Sequence, residues 1–219
     1  LTAVEQQYHR LSLNNQRDYF YQTRDMFNER KQQREGSTER AAQLLFLNKT
    51  CFNGLFRVNS RGLFNVPFGQ YSRPTICNAQ NLLLVSQILQ HAEIRAADFE
   101  SCETFVDDAT FVYFDPPYRP LGGTAHFTSY AASTFDDREQ QRLAAFFRNL
   151  DARGGKLMLS NSDPKNKTLD DDFFEQAYTG FSIERVKARR NINSNATRRG
   201  LINELIITNY ADTVDALRS

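Results

Sequence analysis

The chain has 219 residues, of which 40% are hydrophobic and 24% charged, which excludes a disordered protein and predicts one large domain or one domain with a sizeable insertion. No apolar run is long enough to cross a membrane, and three dispersed cysteines and three scattered histidines predict reduced thiols in a cytoplasmic protein without a disulfide scaffold or a metal site. The net charge is only +1, so any affinity for a polyanion has to come from the distribution of charge.

The first third of the chain has a helical pattern. Residues 3–14 and 15–33 are polar with spaced apolar and aromatic side chains, which predicts two helices. A third, leucine-rich helix is expected to follow, and Ser37 or Thr38 can cap its N-terminus.

A short hairpin is predicted after these helices. The segments L-F-R-V (55–58) and L-F-N-V (63–66) have strand composition and flank the turn N-S-R-G (59–62). Asn59 and Gly62 supply the turn chemistry that such a hairpin needs. The segment that follows contains two prolines and a glycine, so we expect it to be irregular.

Basic residues are concentrated in two stretches that contain no Asp or Glu, residues 40–92 and 185–203. Two basic surfaces on a nearly neutral chain fit a polyanionic partner. The alternative is that both are solvated faces, balanced by the acidic stretches 98–108 and 170–175. The basic residues concerned are Arg40, Lys49, Arg57, Arg61 and Arg73 in the first stretch, and Arg185, Lys187, Arg189, Arg190, Arg198 and Arg199 in the second.

From about residue 78 the pattern alternates between helix and strand, which predicts an α/β fold with a mostly parallel sheet. The acid run 170–172 is interpreted as a complement to a helix dipole. In chain order the predicted elements are a helix at 79–91, a short strand at 93–97, a buried-type strand at 110–114, a helix capped by Thr134 or Asp136 that ends near 151, a strand at 156–160, a helix near 170–177, and a final hairpin of 181–188 and 201–208.

Polar residues follow three of these predicted strands, namely Asp98, Asp115 and the pair Ser160–Asn161. In an α/β sheet, ligands bind beyond the carboxyl ends of the strands, so these residues are candidates for one site. The alternative is that they are ordinary polar residues at the points where the chain leaves the strands.

The most informative motif is F-V-Y-F-D-P-P-Y (111–118). The Asp115 carboxylate and the Pro116 carbonyl are hydrogen-bond acceptors, Pro117 stiffens the turn, and Tyr118 offers a ring for stacking. Two acceptors and one stacking face suit the amino group of a nucleobase that has been lifted out of its helix. The alternative is a core strand that is ended by a proline turn.

Three segments of the chain resemble the Dam-type (D12 class) DNA adenine-N6 methyltransferases, which use S-adenosylmethionine. The first is L-N-K-T-C-F-N-G-L-F-R-V-N-S-R-G-L-F-N-V-P-F-G-Q-Y (47–71), which is similar to the target-recognition signature of the family. The second is F-V-Y-F-D-P-P-Y, the catalytic motif, followed by F-T-S-Y (127–130). The third is the C-terminal segment 189–210, with R-R-N-I-N-S-N-A-T-R-R and N-E-L-I-I-T-N-Y.

The resemblance implies a Rossmann-like methyltransferase sheet with a helical and β-hairpin subdomain for DNA recognition. Residues 1–76 would form the recognition subdomain and residues 77–219 the catalytic core. The family begins with a basic segment, a strand, a glycine-rich F-x-G-x-G-type loop and an acidic residue for the ribose, and none of these is present. We therefore expect the sequence to correspond to the C-terminal part of a methyltransferase, with an incomplete sheet and half of the cofactor pocket absent.

The resemblance also assigns roles in catalysis and cofactor binding. Asp115, Pro116, Pro117 and Tyr118 would be catalytic: the first two would accept both hydrogens of the adenine amino group, and the tyrosine would stack on the base. Asp98 and Phe99 would meet the adenine of S-adenosylmethionine, and Asp115 would border its methionine end. No metal is needed.

DNA contacts are implied at eleven positions of the first basic stretch. Arg57 would read a guanine, Phe52 would wedge into the duplex, and Asn53 would fill the gap left by the flipped base. Leu55 and Pro67 would make apolar contacts, for example with a thymine methyl group. The remaining positions are Lys49, Arg61 and Arg73, which would touch phosphates, and Asn65, Gln70 and Tyr71.

Two observations keep simpler interpretations of this segment open. Gln70 departs from the family pattern, which often has a basic residue at this position, and this departure concerns the contacts to the outer bases. Phe52, Leu55 and Phe64 could instead form a small core, and Asn53–Gly54 could be only a turn.

The sequence therefore predicts a site-specific DNA adenine-N6 methyltransferase that acts on a short site in double-stranded DNA, with GATC favoured. It would serve in restriction–modification, beside a cognate restriction endonuclease that acts separately, or as an orphan methylase. Two alternatives are a catalytically incomplete DNA-binding fragment and an RNA methyltransferase.

Overall fold

The structure, a computed structural model, describes residues 1–29, 38–120, 135–189 and 201–210, with the backbone alone at Arg189. The described chain divides into two compact units, Leu1–Arg95 and the residues from Ala96 onward. Residues 77–95, which the resemblance assigns to the catalytic part, thus belong to the first unit.

The first unit contains the three predicted helices, α1 (Thr2–His9), α2 (Leu13–Glu29) and α3 (Thr38–Thr50). Ring pairs within this unit meet mostly edge-to-face, a geometry that stabilises aromatic clusters beyond the area they bury. The buried residues that form its core are Tyr8, Phe20, Phe27, Phe46, Leu47, Cys51, Phe64, Val66, Phe68 and Ile76.

The hairpin predicted after α3 is present only as a looped turn, so the prediction of two regular strands was wrong. Val58 and Phe64 pair as an isolated bridge. The side-chain oxygen of Asn59 accepts hydrogen bonds from the backbone amides of Arg61 and Leu63, at 3.0 and 3.1 Å. Because the Asn59 side chain binds these amides locally, they do not extend a strand ladder.

Helix α4 (Ala79–Leu89) confirms another predicted helix, and Asn78 caps it by accepting a hydrogen bond from the Asn81 amide at 3.0 Å. None of the residues of α4 is buried among the described residues, although most are apolar. The strand predicted at 93–97 was wrong, since this segment is irregular and Ile94 is exposed. A strand needs a hydrogen-bonded neighbour, and the described sheet supplies none there.

The second unit is a mixed α/β structure around a four-stranded sheet in the order β1-β2-β4-β3. Strands β1 and β2 are parallel, whereas β4 is antiparallel to both β2 and β3. The final hairpin is confirmed, but the prediction of a mostly parallel sheet was wrong because that hairpin supplies half of the described strands. The strands are β1 (Phe111–Phe114), β2 (Lys156–Ser162), β3 (Ser182–Arg189) and β4 (Leu201–Thr208).

Strand β1 is not the fully buried strand that its composition predicts. It lies at the edge of the described sheet, and only Phe114 is buried, whereas Phe111 and Tyr113 are exposed. Side chains alternate between the two faces of a strand, so one face of β1 meets the core and the other does not.

Helix α5 (Asp137–Ala152) confirms the predicted helix, and its apolar face forms the core with β2 and β4. Gly154, which precedes β2, has φ +87°, a backbone conformation that glycine adopts without strain. The fully buried residues of this core include Phe147, Leu150, Leu157, Leu159, Phe174, Tyr178, Leu205 and Ile207.

The N-terminus of α5 provides a test of local stability. The Asp136 side chain accepts hydrogen bonds from the amides of Arg138 and Glu139, at 3.0 and 3.1 Å. We expect Asp136→Ala to lower the free energy of unfolding by about 1 kcal/mol in urea titrations with an unchanged m-value. Arg138→Ala is the matched control, and an equal loss in both variants would contradict the capping role.

The acid run 170–172 precedes helix α6 (Phe173–Ala177) and does not begin it as predicted. Asp171 forms an ion pair with Arg119 at 2.7 Å, and Asp172 forms one with Lys165 at 2.6 Å. Asp171 also accepts a hydrogen bond from the Phe173 amide at 3.2 Å, and Asp172 is the residue directly before the helix, so these two acids lie at the positive end of the helix as well as in ion pairs.

The described residues contain no group of three or more His, Cys, Asp or Glu side chains that could hold a metal ion. No helix among them is sufficiently long and apolar to cross a membrane.

Candidate functional site

The Asp-Pro-Pro-Tyr turn (115–118) directly follows β1, beside the end of β2. Asp115 is exposed, and its carboxylate accepts a hydrogen bond from the Ser160 hydroxyl at 3.2 Å. The Tyr113 hydroxyl lies 2.9 Å from the same serine oxygen. Because an ionised carboxylate can only accept, Ser160 donates to Asp115 and Tyr113 donates to Ser160.

The two proline carbonyls of the turn differ in their partners. The Pro117 carbonyl accepts a hydrogen bond from the Gln140 side chain at 2.9 Å. The Pro116 carbonyl accepts none from any residue that the structure describes. Burial raises the pKa of Tyr118, with a smaller opposing effect from Ser160, so this phenol stays neutral at physiological pH.

Arg119 anchors the end of the turn, a role that the sequence did not indicate. Its guanidinium donates to Asp137 at 2.8 Å and to Asp171 at 2.7 Å, and lies 4.4 Å from the centre of the Phe173 ring. These two carboxylates lie 18 and 52 residues away along the chain, so only the folded structure reveals the pairing.

A cavity of about 320 Å³ lies next to this turn, within the second unit. It brings together Asp98 and Phe99 with Pro116 and Pro117, as the candidate site requires. Asp115 does not line this cavity. Its volume is at the lower end of the range for small-molecule sites.

The Asp98 carboxylate at this cavity is held by Arg142, which the sequence did not indicate. Arg142 donates to both carboxylate oxygens, at 3.0 and 2.8 Å, and the Glu100 amide donates to one of them at 3.0 Å. Mainly because of Arg142, the pKa of Asp98 lies below its usual value, so this carboxyl remains an acceptor at neutral pH. The Arg142 guanidinium also lies 4.1 Å from the centre of the Phe99 ring.

The predicted DNA-contacting residues lie in the first unit, with Lys49 in the last turn of α3 and the others on the loop 51–73 that follows it. The loop is closed at its base because the Phe52 amide donates to the Pro67 carbonyl at 2.8 Å and the Gly69 amide donates to Thr50 at 2.9 Å. A Cβ atom at Gly69 would lie 2.6 Å from the Cys51 carbonyl oxygen, so this close approach requires glycine.

Two predicted contact residues on this loop have left-handed backbone conformations, Asn53 with φ +55° and Gln70 with φ +47°. In the part of the chain that the structure describes, no other non-glycine residue has a positive φ. Such conformations are disfavoured for side chains other than Asn and Asp and are concentrated at functional sites.

Exposure separates the aromatic and apolar residues of the loop. Phe52 is 52% and Leu55 36% exposed, whereas Phe64 is only 1% exposed. The alternative of a small core formed by these three residues is therefore correct for Phe64 alone. Phe56, which the sequence did not single out, is also 60% exposed.

Arg57 is held in one orientation by Asn65. Its Nε atom donates to the Asn65 side-chain oxygen at 2.8 Å, and a terminal nitrogen donates to the Asn65 carbonyl at 3.2 Å. Asn65 thus positions Arg57. The sequence had suggested only a direct DNA contact for Asn65. The other predicted contact residues, all exposed, are Lys49, Arg61, Pro67, Gln70, Tyr71 and Arg73.

Some of the predicted basic surface is used inside the protein. Arg185 forms ion pairs with Asp163 and Glu175, and Arg40 donates to the Phe27 carbonyl at 2.7 Å. Several predicted features lie outside the described residues. They are the basic residues Arg190, Arg198 and Arg199, the side chain of Arg189, the segment 127–130, and the alternative caps Ser37 and Thr134.

Comparison with known proteins places these features in a family context. Residues 2–192 match the family model of the D12 class N6 adenine-specific DNA methyltransferases. The chain is 46% identical over 211 residues to the type II methyltransferase M.MjaIII of Methanocaldococcus jannaschii, and the matched region covers 96% of this chain and 71% of the relative. It is 36% identical over 200 residues to the type II methyltransferase M1.LlaDCHI of Lactococcus lactis, covering 90% and 68%. It is 35% identical over 189 residues to the DNA adenine methylase of Escherichia coli K12, covering 86% and 64%.

Proposed function

The chain belongs to the D12 class of N6 adenine-specific DNA methyltransferases, and we propose that it transfers a methyl group from S-adenosylmethionine to adenine N6 in a short duplex site. The observation that carries this proposal is the Asp115–Tyr118 turn, where a carboxylate, a carbonyl and a phenol ring lie beside the cavity that contains Asp98 and Phe99.

The residues around the cavity fit the adenosine end of this cofactor. Asp98 offers an ionised acceptor for an amino group, and the Phe99 ring with Pro116 and Pro117 offers apolar walls for a flat heterocycle. When bound, the cofactor supplies an electrophilic methyl group on a sulfonium. Asp115 would border the methionine end from outside the cavity lining.

In the proposed reaction, Asp115 and Pro116 act on the target amino group. The lone pair of that nitrogen is delocalised into the purine ring, so the nitrogen is a weak nucleophile. By accepting both amino hydrogens, the carboxylate and the Pro116 carbonyl localise the lone pair, and Tyr118 holds the flipped base by stacking. Water accepts the proton that the product releases.

For target recognition we propose the loop of the first unit, with GATC as the favoured site. An arginine fork that is fixed by Asn65 suits bidentate bonding to guanine O6 and N7, so we assign Arg57 to the guanine. The exposed Phe52 is assigned to insertion into the duplex, and the exposed Asn53 to the space left by the flipped base. Leu55 and Pro67 are assigned to apolar contacts, and Lys49, Arg61 and Arg73 to phosphates.

The biological setting is part of the same proposal. Two of the relatives are type II methyltransferases and one is a DNA adenine methylase, so both a restriction–modification role and an orphan role fit the family. In the first case a separate restriction endonuclease would cut the same site. The three free cysteines and the DNA substrate fit a cytoplasmic location.

Arg142 gives a prediction for cofactor binding. Its fork holds both oxygens of Asp98, so we expect Arg142→Ala to weaken the binding of S-adenosylmethionine by about tenfold and to leave DNA affinity within about twofold. Equilibrium dialysis with labelled cofactor measures the first quantity. Arg138→Ala, one turn earlier on α5, is the matched control, and equal cofactor affinity in both variants would contradict the role of Arg142.

The experiment that tests the proposed reaction is identification of the methylated nucleoside. The protein is incubated with duplex DNA and with RNA of the same sequence, with S-adenosylmethionine that carries a deuterated methyl group. Mass spectrometry of the digests is expected to find the deuterated methyl group on N6 of deoxyadenosine only. A label on another base, or on RNA instead of DNA, would reject the assigned reaction.

A further inference from the structure

The end of strand β2 contacts the Asp-Pro-Pro-Tyr turn through two consecutive side chains, Ser160 and Asn161. Consecutive residues of a strand point to opposite faces of the sheet. Ser160 accordingly meets Asp115, at the start of the turn, and Asn161 accepts a hydrogen bond from the Arg119 amide at 2.9 Å, just after it. One strand end therefore holds the turn at both of its limits.

On the first face, the Ser160 hydroxyl has two hydrogen-bond partners. Its proton points to Asp115, at 3.2 Å, and its oxygen accepts from Tyr113, at 2.9 Å. Because the single proton of Ser160 is used for Asp115, Tyr113 must be the donor to Ser160, and these two hydrogen bonds fix the orientation of the hydroxyl.

On the second face, Asn161 and Gln140 form a buried relay to the prolines. The Asn161 amide donates to the Gln140 side-chain oxygen at 3.2 Å, and the Gln140 amide donates to the Pro117 carbonyl at 2.9 Å. Both side chains are 0% exposed. Buried amides are costly unless they are paired, and this sequence of bonds allows only one orientation of each amide.

The orientation of the relay follows from its acceptor end. The Asn161 side-chain oxygen accepts from the amides of Arg119 and Ser162, both at 2.9 Å. Rotating the Asn161 amide by half a turn would point its NH₂ group at two N–H donors. Asn161 must therefore present its donor to Gln140, and Gln140 must present its own donor to Pro117.

From this geometry we propose that Ser160, Asn161 and Gln140 are positioning residues for methyl transfer. Ser160 aims the Asp115 carboxylate, and the relay holds the Pro117 carbonyl so that the Pro116 carbonyl faces the target amino group. The inference rests on the proposed function, since it concerns how the same turn is held. A misplacement of about 1 Å in such a turn can lower a rate by about a hundredfold.

The first test replaces the donor of the relay. Gln140→Glu keeps the acceptor for Asn161, but an ionised carboxylate cannot donate to Pro117. We expect kcat to fall about tenfold or more at a pH near 8, with KM values for DNA and cofactor within about twofold. A protonated glutamic acid can donate, so the ratio of variant to parent rates should rise as the pH falls. Gln141→Glu introduces the same charge at an exposed neighbour and is the matched control.

The second test removes the Ser160 hydroxyl. We expect Ser160→Ala to lower kcat by about tenfold with little change in KM, whereas Ser182→Ala, at the exposed start of β3, should have the parent's rate. Urea unfolding of each variant reports the folded fraction, and rates are compared per folded molecule.

The outcomes separate the two levels of the proposal. Three results in an active parent protein would overturn the positioning roles alone. They are an unchanged kcat in the variants, a change in KM without a change in kcat, or a ratio of Gln140→Glu to parent rates that does not vary with pH. A parent protein that transfers no methyl group would overturn the proposed function and this inference with it. A selective loss of kcat with recovery at lower pH supports both.

Discussion

Replacing Asp115 with alanine is expected to lower methyl transfer by on the order of a thousandfold, while DNA affinity stays within about twofold. The carboxylate is exposed at the start of the turn, and Ser160 is its hydrogen-bond donor among the described residues, so little folding energy depends on it. Its removal takes away one of the two acceptors for the target amino group. Rapid-quench measurement of a single turnover gives the rate, and fluorescence anisotropy gives the affinity.

Two further variants define the result for Asp115. Asp115→Asn keeps one acceptor oxygen without the charge, so its rate should lie between those of the parent and the alanine variant. Asp170→Ala removes another exposed carboxylate of the second unit and should have no effect. Equal losses of DNA binding and methyl transfer in Asp115→Ala would contradict the assignment of this residue to the chemical step.

For Arg57→Ala we expect loss of discrimination at one base pair of the site, by about 1–3 kcal/mol, with weaker effects elsewhere. The guanidinium is directed by two hydrogen bonds to Asn65, and a fixed fork is what bidentate contact to a guanine requires. Competition between duplexes that differ at single positions measures this discrimination. Asn65→Ala should reproduce part of the effect, because it releases the fork without removing the charge.

Arg61→Ala is the control for the Arg57 measurement. Arg61 is exposed and assigned to a phosphate, so its removal should weaken binding to all sequences equally and reduce the salt dependence by about one phosphate contact. If Arg57→Ala showed the same uniform loss, Arg57 would be a phosphate contact, and another residue would have to recognise the guanine.

Local sequence patterns predicted most of the helices and the final hairpin. Helix α5 has apolar residues spaced at the helical period and a capping aspartate, and both signals are local. The pairing of β4 between β2 and β3 is not local, because it depends on which strands meet across distant parts of the chain. Alternating elements favoured a parallel sheet, and only the folded structure shows that β4 of the predicted hairpin also pairs antiparallel with β2.

The candidate site was predictable at the turn and at Ser160 and Asn161, which follow a predicted strand, but not in its arginine supports. Asp115 to Tyr118 form an unusual contiguous motif, whereas Arg119 and Arg142 act through carboxylates that are distant in sequence. Gln140 did carry a signal. It precedes Leu143 by three residues and Phe147 by seven, which places a polar side chain on the buried face of α5. A buried glutamine needs hydrogen-bond partners, and the turn provides one of them.

The loop of the first unit shows a different limit. Its strand propensity predicted two regular strands, but the side-chain bonds of Asn59 and the left-handed residues Asn53 and Gln70 leave only an isolated bridge between Val58 and Phe64. Propensities describe an average environment, whereas this loop is shaped by particular contacts at its base.

The measurement that tests the central claim most directly is transfer of a labelled methyl group from S-adenosylmethionine to unmethylated DNA, with every modified adenine mapped by sequence. We predict N6-methyladenine confined to one short motif, with GATC as the expected site, and loss of the label in Asp115→Ala. Unlabelled DNA that the protein nevertheless retains at low salt would contradict the enzymatic claim and would indicate DNA binding without catalysis.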